Sequence, residues 1–425
     1  MNLCINIEIN GQQITAGHIC GSSCQDARFS YDENYLASPG ARAISISLPL
    51  RSEEFSPAAT RNFFDGLLPE AFSRREAARQ LGIQDDDYIG LLAALGKECI
   101  GALCIIEKEQ AEPIAEQACY EKITLRDVRK FAKDGASAAA TISSQSRLSL
   151  AGATGKTGLY YDEKRKKWHK PIGLAPSTHI VKQSHVRLSG IVINEMLSLD
   201  TAEKLGIETA ERFIVNVGEG NDDEIIFATK RYDRKPGHIT TEEGLVIPHR
   251  LHQEDFAQAL GIYAYDKYEL PGQNYARAMF DVIRNYCKNP ISDQEKLLKV
   301  IIYDHFIGNA DNHVKNHSLL YDEKLNSISL APAYDILSTI CYENNTKNMS
   351  INIGGEYDIN KANRESFRSF AKQIGIGEKI VLEIYDDMKA NFAKALKESS
   401  SRLQDIGYSK TKDFEKKIIK RFKTL

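Results

Sequence analysis

The spacing of apolar residues changes period along this 425-residue chain, and each change ties a stretch to one kind of element. Near the start Ile5, Ile7 and Ile9 alternate with polar neighbours, Asn10-Gly11 follows, and Gln13 to Ile19 returns. Alternation is the period of a half-buried strand, and Asn-Gly readily takes the positive φ of a tight hairpin turn, so a β-hairpin is expected. Ala43 to Pro49 alternates again and is expected to be a strand ended by its proline. The period then lengthens. Ser56-Pro57 opens a helix bearing Phe63, Phe64, Leu67 and Leu68, and Arg74 to Leu81 and Asp87 to Leu95 predict two more.

From Arg147 the pattern returns to strand, glycine turn and strand, followed by a hairpin whose tip runs from Asp162 to Lys167. Thr178 to Lys182 is expected as a strand, Gly190 to Leu205 as a helix, and Glu211 to Val217 and Ile225 to Arg231 as further strands. Beyond Gln253 nearly everything has helical period, with a short strand at Ser327 to Leu330. The class implied is α+β: an N-terminal α/β unit over 1–140, a sheet-rich lobe over 145–240 and a helical lobe over 241–425.

Composition excludes more than it proposes. The chain is 42% hydrophobic and 27% charged with a formal net charge of -3, ordinary for a globular protein and unlike one whose whole surface binds nucleic acid. The longest apolar runs, such as Ile100 to Ile106, are far below the ~20 residues of a membrane-spanning helix. The first residues lack a basic leader region, and eight scattered cysteines suit reduced thiols, so a cytoplasmic setting is expected. Cys20 and Cys24 are close enough to suggest a metal, but no second Cys/His pair stands at finger spacing.

The chemistry concentrates between Gly308 and Ser318, in Gly-Asn-Ala-Asp-Asn-His-Val-Lys-Asn-His-Ser, and in Ala333-Tyr334-Asp335-Ile336. Phosphoryl transfer needs a carboxylate to orient or deprotonate the attacking hydroxyl, and oxygen ligands that hold Mg²⁺ against phosphates. Asp311 and Asn316 have the Asp-x-x-x-x-Asn spacing of a kinase catalytic loop, His313 gives the Asp-x-His-x-x-Asn order of lipid-kinase-like loops, and Asp335 stands where a second metal-binding aspartate belongs. Asp311 and Asn316 could instead cap backbone donors in a turn. A zinc pair of His313 and His317 lacks the glutamate of an H-E-x-x-H site.

Upstream parts decide. Ser149 to Thr157 is a loop of small residues, and it is not a Walker A loop, because Leu150 stands where the first glycine belongs. Lys182 ends a strand about 25 residues later, and Glu195 follows on a helix, the arrangement of a phosphate-binding lysine and its helix glutamate. Glycine-rich loop, strand Lys, helix Glu, hinge strand, Asp/Asn loop and metal Asp occur in the order of a kinase.

These residues, with Phe63-Phe64-Asp65-Gly66-Leu67-Leu68-Pro69-Glu70, Gly96 to Leu103, Arg147 to Ala153, His179 to Lys182, Asn194-Glu195, Lys230 to Arg234 and His252 to Phe256, resemble the HipA family of serine/threonine kinase toxins over nearly the whole chain. The resemblance implies a two-lobed, protein-kinase-like core behind an N-terminal domain, with ATP and Mg²⁺ as cofactors. It implies Asp311 as the catalytic base and Asn316 and Asp335 as Mg²⁺ ligands. The ATP contacts it implies are Ala151, Gly152, Ala153, Thr154, Gly155 and Lys156 of the phosphate loop, Lys182, the hinge Lys230, Arg231 and Tyr232, and Gln253, His313, Asn316, Tyr334 and Asp335. Ser149 falls at the family's autophosphorylation position, where phosphate adds close to two negative charges beside the nucleotide's own. Gly155 and Lys230 depart from the acidic residues common at those positions. The implied partners are a small helix-turn-helix antitoxin of the HipB kind, operator DNA through that complex, and a protein target such as an aminoacyl-tRNA synthetase, with growth arrest as the outcome and no membrane.

Two rivals stand beside this reading. Small-molecule kinases use a similar Asp, Asn and Asp set, and a weakly active corepressor subunit would need only the partner surfaces. The basic tail, with Lys410, Lys412, Lys416, Lys417, Lys420, Arg421 and Lys423 among Phe414, Ile418, Ile419 and Phe422, is expected to be an amphipathic helix packed on its own domain.

Overall fold

A computed structural model describes residues 2–108, 118–134, 155–184, 188–343 and 345–425. The segments group into two compact units, one of residues 1–185, 215–264 and 319–328, the other of 186–214, 265–318 and 329–425. Each unit is thus assembled from three separated stretches, whereas the divisions expected from sequence are continuous.

The first unit contains two sheets. β1 (Asn2–Ile9) and β2 (Gln12–Cys20) form the expected hairpin, with Asn10 and Gly11 at φ 52° and 76° in its turn. β3 (Arg28–Tyr31) and β4 (Leu103–Glu107) complete an antiparallel sheet of order β3-β2-β1-β4. Helices α1 (Glu33–Ala37), α2 (Pro57–Phe64), α3 (Ala71–Leu81) and α4 (Tyr88–Leu95) lie between β3 and β4 in sequence. Ser56 caps α2 with its side chain on the Ala59 N–H, and Asp87 caps α4 on that of Gly90.

Residues 43–49 are not the strand their alternation predicts. They form a tight turn closed by a bridge between Ser45 and Leu48. The polar half of the pattern is consumed by a distant partner: the Ser45 hydroxyl and the Ile46 N–H both donate to the carboxylate of Glu254, and the Ser47 hydroxyl donates to the Gln258 carbonyl at 2.6 Å. Ile44 and Leu48 remain buried. A turn that wraps a buried carboxylate and a strand with polar residues on its outer face share one pattern.

The second sheet has order β5-β7-β6-β8-β10-β9 and comprises β5 (Cys119–Lys122), β6 (Lys156–Asp162), β7 (Lys167–Ile172), β8 (His179–Gln183), β9 (Arg212–Asn216) and β10 (Ile225–Lys230). Helix α5 (Leu125–Asp134) follows β5. The β6/β7 hairpin carries the charged tip where the sequence places it, with Asp162 accepting from the Lys164 and Arg165 N–H groups.

The second unit is mainly helical. It contains α6 (Ile191–Lys204) and, after the short α7 (Phe256–Leu260) of the first unit, α8 (Tyr275–Tyr286), α9 (Pro290–Ile307), α10 (Arg364–Ile374), α11 (Glu378–Asp405) and α12 (Thr411–Phe422). Strands β16 (Asn348–Ile353) and β17 (Glu356–Asp358) pair antiparallel within it, in a region where nearly everything is expected to have helical period. The remaining short strands are β11 (Arg234–Lys235), which pairs with β12 (His249–Arg250), and β13 (Gln253–Asp255), β14 (Ser318–Tyr321) and β15 (Ile328–Leu330), in the order β13-β14-β15. The basic tail packs on its own unit: Phe414 and Ile418 are buried, and Phe422 lies against Phe392 with ring centroids 4.6 Å apart. The buried Arg421 donates to the carbonyls of His305, Phe306 and Ile359. No helix among the described residues is long and apolar enough to cross a membrane.

Candidate active site

Helix α9 stops at Gly308, whose φ of 82° suits a left-handed cap and whose N–H donates to the Asp304 carbonyl at 3.0 Å. A Cβ here would lie 2.4 Å from Ile340 Cγ1, so the position needs glycine twice over. The next residues are tied down one by one. Asn309 Nδ2 donates to the buried Asp304 carboxylate at 2.9 Å, and its Oδ1 accepts from the Asp311 N–H at 3.1 Å. Ala310 N–H donates to Thr339 Oγ1, and the Ala310 carbonyl accepts from both the N–H and the hydroxyl of Ser350. The Asp311 carbonyl accepts from the His313 N–H at 2.9 Å and from Asn316 Nδ2 at 2.7 Å.

Both main-chain polar groups of Asp311 are therefore engaged while its side chain is exposed, and Asn316 reaches back across the turn to it. The carboxylate of Asp311 accepts from the hydroxyl of Tyr268 at 3.1 Å. Burial pushes Asp304 up to about 7, against the hydrogen bonds of Asn309 and Asn312.

His313 is buried, and its Nδ1 has no hydrogen-bond partner among the described residues. Burial, with Lys267 and Lys315 adding repulsion, holds it well below the usual histidine range and so neutral; the nearby Asp335 carboxylate opposes this more weakly. Burial likewise lowers His317 to about 4. Among the described residues no cluster of three His, Cys, Asp or Glu side chains could hold a metal ion, the Cys20/Cys24 pair included.

Asp335 has φ 57°, a left-handed conformation that aspartate tolerates better than most residues. Its flanks are braced: the Ala333 N–H donates to the Glu208 carbonyl, and the Tyr334 hydroxyl donates to the Lys315 carbonyl and shares a hydrogen bond with Ser318 Oγ. Asn194 of α6 clamps Ser338 by both its N–H and its carbonyl, at 2.9 and 3.0 Å. The second unit thus brings Asp311, Asn316, His313, Tyr334 and Asp335 onto two adjoining, rigidly held turns.

In the first unit β8 places Lys182 opposite Lys156 on β6 and opposite Phe227 on β10. Lys182 is buried, with its ammonium 5.9 Å from the Phe227 ring centroid. Gly155 precedes β6. Ala151, Gly152, Ala153, Thr154 and Ser149 lie outside the described residues. Glu195, expected to partner Lys182, is buried on α6 and belongs to the other unit.

The hinge residues divide. Lys230 ends β10 and pairs with Glu163 at the surface, 3.1 Å away. Arg231 is buried, and its guanidinium donates to both Asp233 oxygens, Glu98, Ser177 and the Cys99 carbonyl. Arg234 adds contacts to Glu98, Asp233 and the carbonyls of Cys99 and Gly101. Gln253 donates to Asp233 and accepts from the Tyr232 hydroxyl. The two arginines hold the Asp233 carboxyl far below its usual range despite burial, while burial and Arg231 bring Arg234 down to about 10. The side chains of Arg231 and Gln253 are thus committed to a buried ion network. Sequence reasoning missed Glu98, Asp233 and Ser177 as its members; the run Lys230-Arg231-Tyr232-Asp233-Arg234 held the signal, since adjacent opposite charges in an apolar setting pair when buried.

Residues 148–396 match the family model described as HipA-like C-terminal domain, and residues 7–106 that described as HipA N-terminal domain. The chain is 32% identical over 390 residues to "Putative kinase Y4mE" of Sinorhizobium fredii, covering 89% of each protein. It is 26% identical over 341 residues to "Serine/threonine-protein kinase toxin HipA" of Shewanella oneidensis, covering 75% of this chain and 72% of that one. The solved complex of Shewanella oneidensis HipA, HipB and operator DNA contains a chain that superposes with a TM-score of 0.79 at 21% identity, over 99% of this chain and 96% of the other. That likeness shows a shared α+β, kinase-like fold.

Proposed function

The chain belongs to the HipA family of kinases, and from that premise we propose that it is an ATP- and Mg²⁺-dependent protein serine/threonine kinase acting in the cytoplasm. The observation that carries the reading is the Asp311 turn, whose main chain is pinned by Asn309, His313 and Asn316 while its carboxylate stays exposed. An exposed carboxylate on a fixed backbone is what an incoming hydroxyl needs to be oriented for in-line attack.

In this reading the acceptor hydroxyl donates to Asp311, which takes its proton as the γ-phosphoryl is transferred. Lys156 and Lys182 offset charge on the phosphates, together with the loop of Ala151 to Gly155. The main chain of Lys230 to Tyr232 meets the adenine. Asn316 spends its Nδ2 on the Asp311 carbonyl, which leaves its amide oxygen to serve with the Asp335 carboxylate as the hard donors that would hold Mg²⁺. When bound there, Mg²⁺ would supply charge neutralisation to the transferring phosphoryl group. His313, neutral and buried, shapes this turn without adding positive charge.

The acceptor we propose is a protein serine or threonine, of the aminoacyl-tRNA synthetase kind and with growth arrest as the consequence, with Ser149 as a site of self-modification that silences the kinase. The Shewanella oneidensis HipA is solved with HipB and operator DNA, and we extend to this chain a small helix-turn-helix antitoxin that binds operator DNA. The test is incubation of the purified chain with Mg²⁺ and ATP, followed by mass-spectrometric mapping of phosphate in wild type, Asp311→Asn and Asp335→Asn. Phosphate on Ser149 in wild type and in neither variant is expected; incorporation undiminished by both substitutions overturns the reading.

A further inference from the structure

Tyr268 is half-exposed and precedes a glutamate that is fixed in place. The Glu269 N–H donates to the Ser350 carbonyl at 2.9 Å, and Ser350 in turn donates its N–H and hydroxyl to the Ala310 carbonyl at 3.0 and 2.9 Å. The Glu269 side chain accepts from the Tyr275 N–H at 3.0 Å and from Asn352 Nδ2. The neighbours of Tyr268 and of Asp311 are therefore fastened to the same residue of β16.

The tyrosine ring meets the buried His313 edge-on, with centroids 5.4 Å apart, and Lys267 Nζ stands 5.4 Å from the centroid of the Tyr268 ring. Its hydroxyl then reaches Asp311 Oδ1 at 3.1 Å. A side chain on so rigid a frame is badly suited to swing aside as a gate. It is well suited to hold one orientation of a carboxylate whose main chain is already fixed.

We propose that Tyr268 is a positioning residue for phosphoryl transfer, holding Asp311 Oδ1 so that Oδ2 faces the acceptor hydroxyl. This rests on Asp311 acting as the base. A single hydrogen bond to an exposed carboxylate contributes modestly, so Tyr268→Phe, which keeps the ring against His313, should lower kcat about tenfold and leave KM for ATP within about twofold.

The assay is steady-state ADP release by the full chain with Mg²⁺ and ATP, water serving as acceptor, run on wild type, Tyr268→Phe and Asp311→Asn, with thermal midpoints to confirm folding. Loss of kcat at constant KM in a fully folded Tyr268→Phe, with Asp311→Asn inactive, supports the assignment. Unchanged or faster turnover in Tyr268→Phe, or a change confined to KM, with Asp311→Asn inactive, overturns the positioning role and leaves the base standing. An active Asp311→Asn, or a wild type that releases no ADP, removes the base and the tyrosine's role with it.

Discussion

Lys156 and Lys182 face each other directly across the antiparallel ladder of β6 and β8. That register sets both side chains on one face of the sheet, and Lys182 is buried there. Two cations on one face suit a phosphate, which gains from each.

Replacing Lys156 by threonine should reduce the stabilisation conferred by ATP. Thermal melts with and without ATP measure the effect. An unchanged nucleotide shift would remove Lys156 from the phosphate site.

Arg231→Ala should behave quite differently from its neighbour Lys230→Ala. The first leaves Asp233 and Glu98 short of a counter-charge in a fully buried setting and should cost about 3–5 kcal/mol. The second removes a surface pair with Glu163 and should change stability by no more than about 0.5 kcal/mol. Urea denaturation of the two variants makes the comparison, and equal midpoints would contradict it.

Glu254 supplies a pH dependence with a definite sign. Burial pushes its carboxyl up to about 7, overcoming donation from Ser45, Ile46 and Tyr321. A carboxyl raised on folding binds its proton more tightly in the folded chain, so its contribution is greatest at acid pH and is lost as pH rises from the ordinary glutamate range through about 7. Between pH 5 and 7 wild type should lose up to about 1.4 kcal/mol per pH unit more than Glu254→Gln does. Parallel stability profiles for the two proteins would exclude the effect.

Gly308→Ala should destabilise the chain and slow any transfer at Asp311 together, because the left-handed cap and the contact with Ile340 both resist a side chain. The conformational part alone is worth about 1 kcal/mol, and the clash adds to it. Urea midpoints and ADP release report the two losses.

Much of this architecture is written locally. The Asn10-Gly11 turn, the Ser56 and Asp87 caps and the β6/β7 hairpin depend on residues within a few positions of one another. The turn that joins Asp311 to Asn316 is local in the same way: the Asn316 amide donates to the Asp311 carbonyl five residues away. What could not be read depends on partners far along the chain. Ser45 and Ser47 alternate like the outer face of a strand, and only Glu254 and Gln258, more than two hundred residues later, make a turn of them. Arg231 looks like a hinge side chain until Glu98, 133 residues earlier, is placed against it. Tyr268 carries no motif at all; its meeting with Asp311 is arranged through Ser350.

The ion network around Arg231 and Arg234 has a consequence for anyone who would divide this protein. Glu98, Cys99 and Gly101 come from the segment that leads into the N-terminal sheet's last strand, and they satisfy two arginines of the β10 exit. A truncation that keeps the β5–β10 sheet but discards residues 1–107 would strand both guanidinium groups without Glu98 and the two carbonyls. The N-terminal segment is therefore no detachable accessory: chimaeras and expression fragments should carry it and the β10 exit as a single inheritance, exchanged whole or left alone.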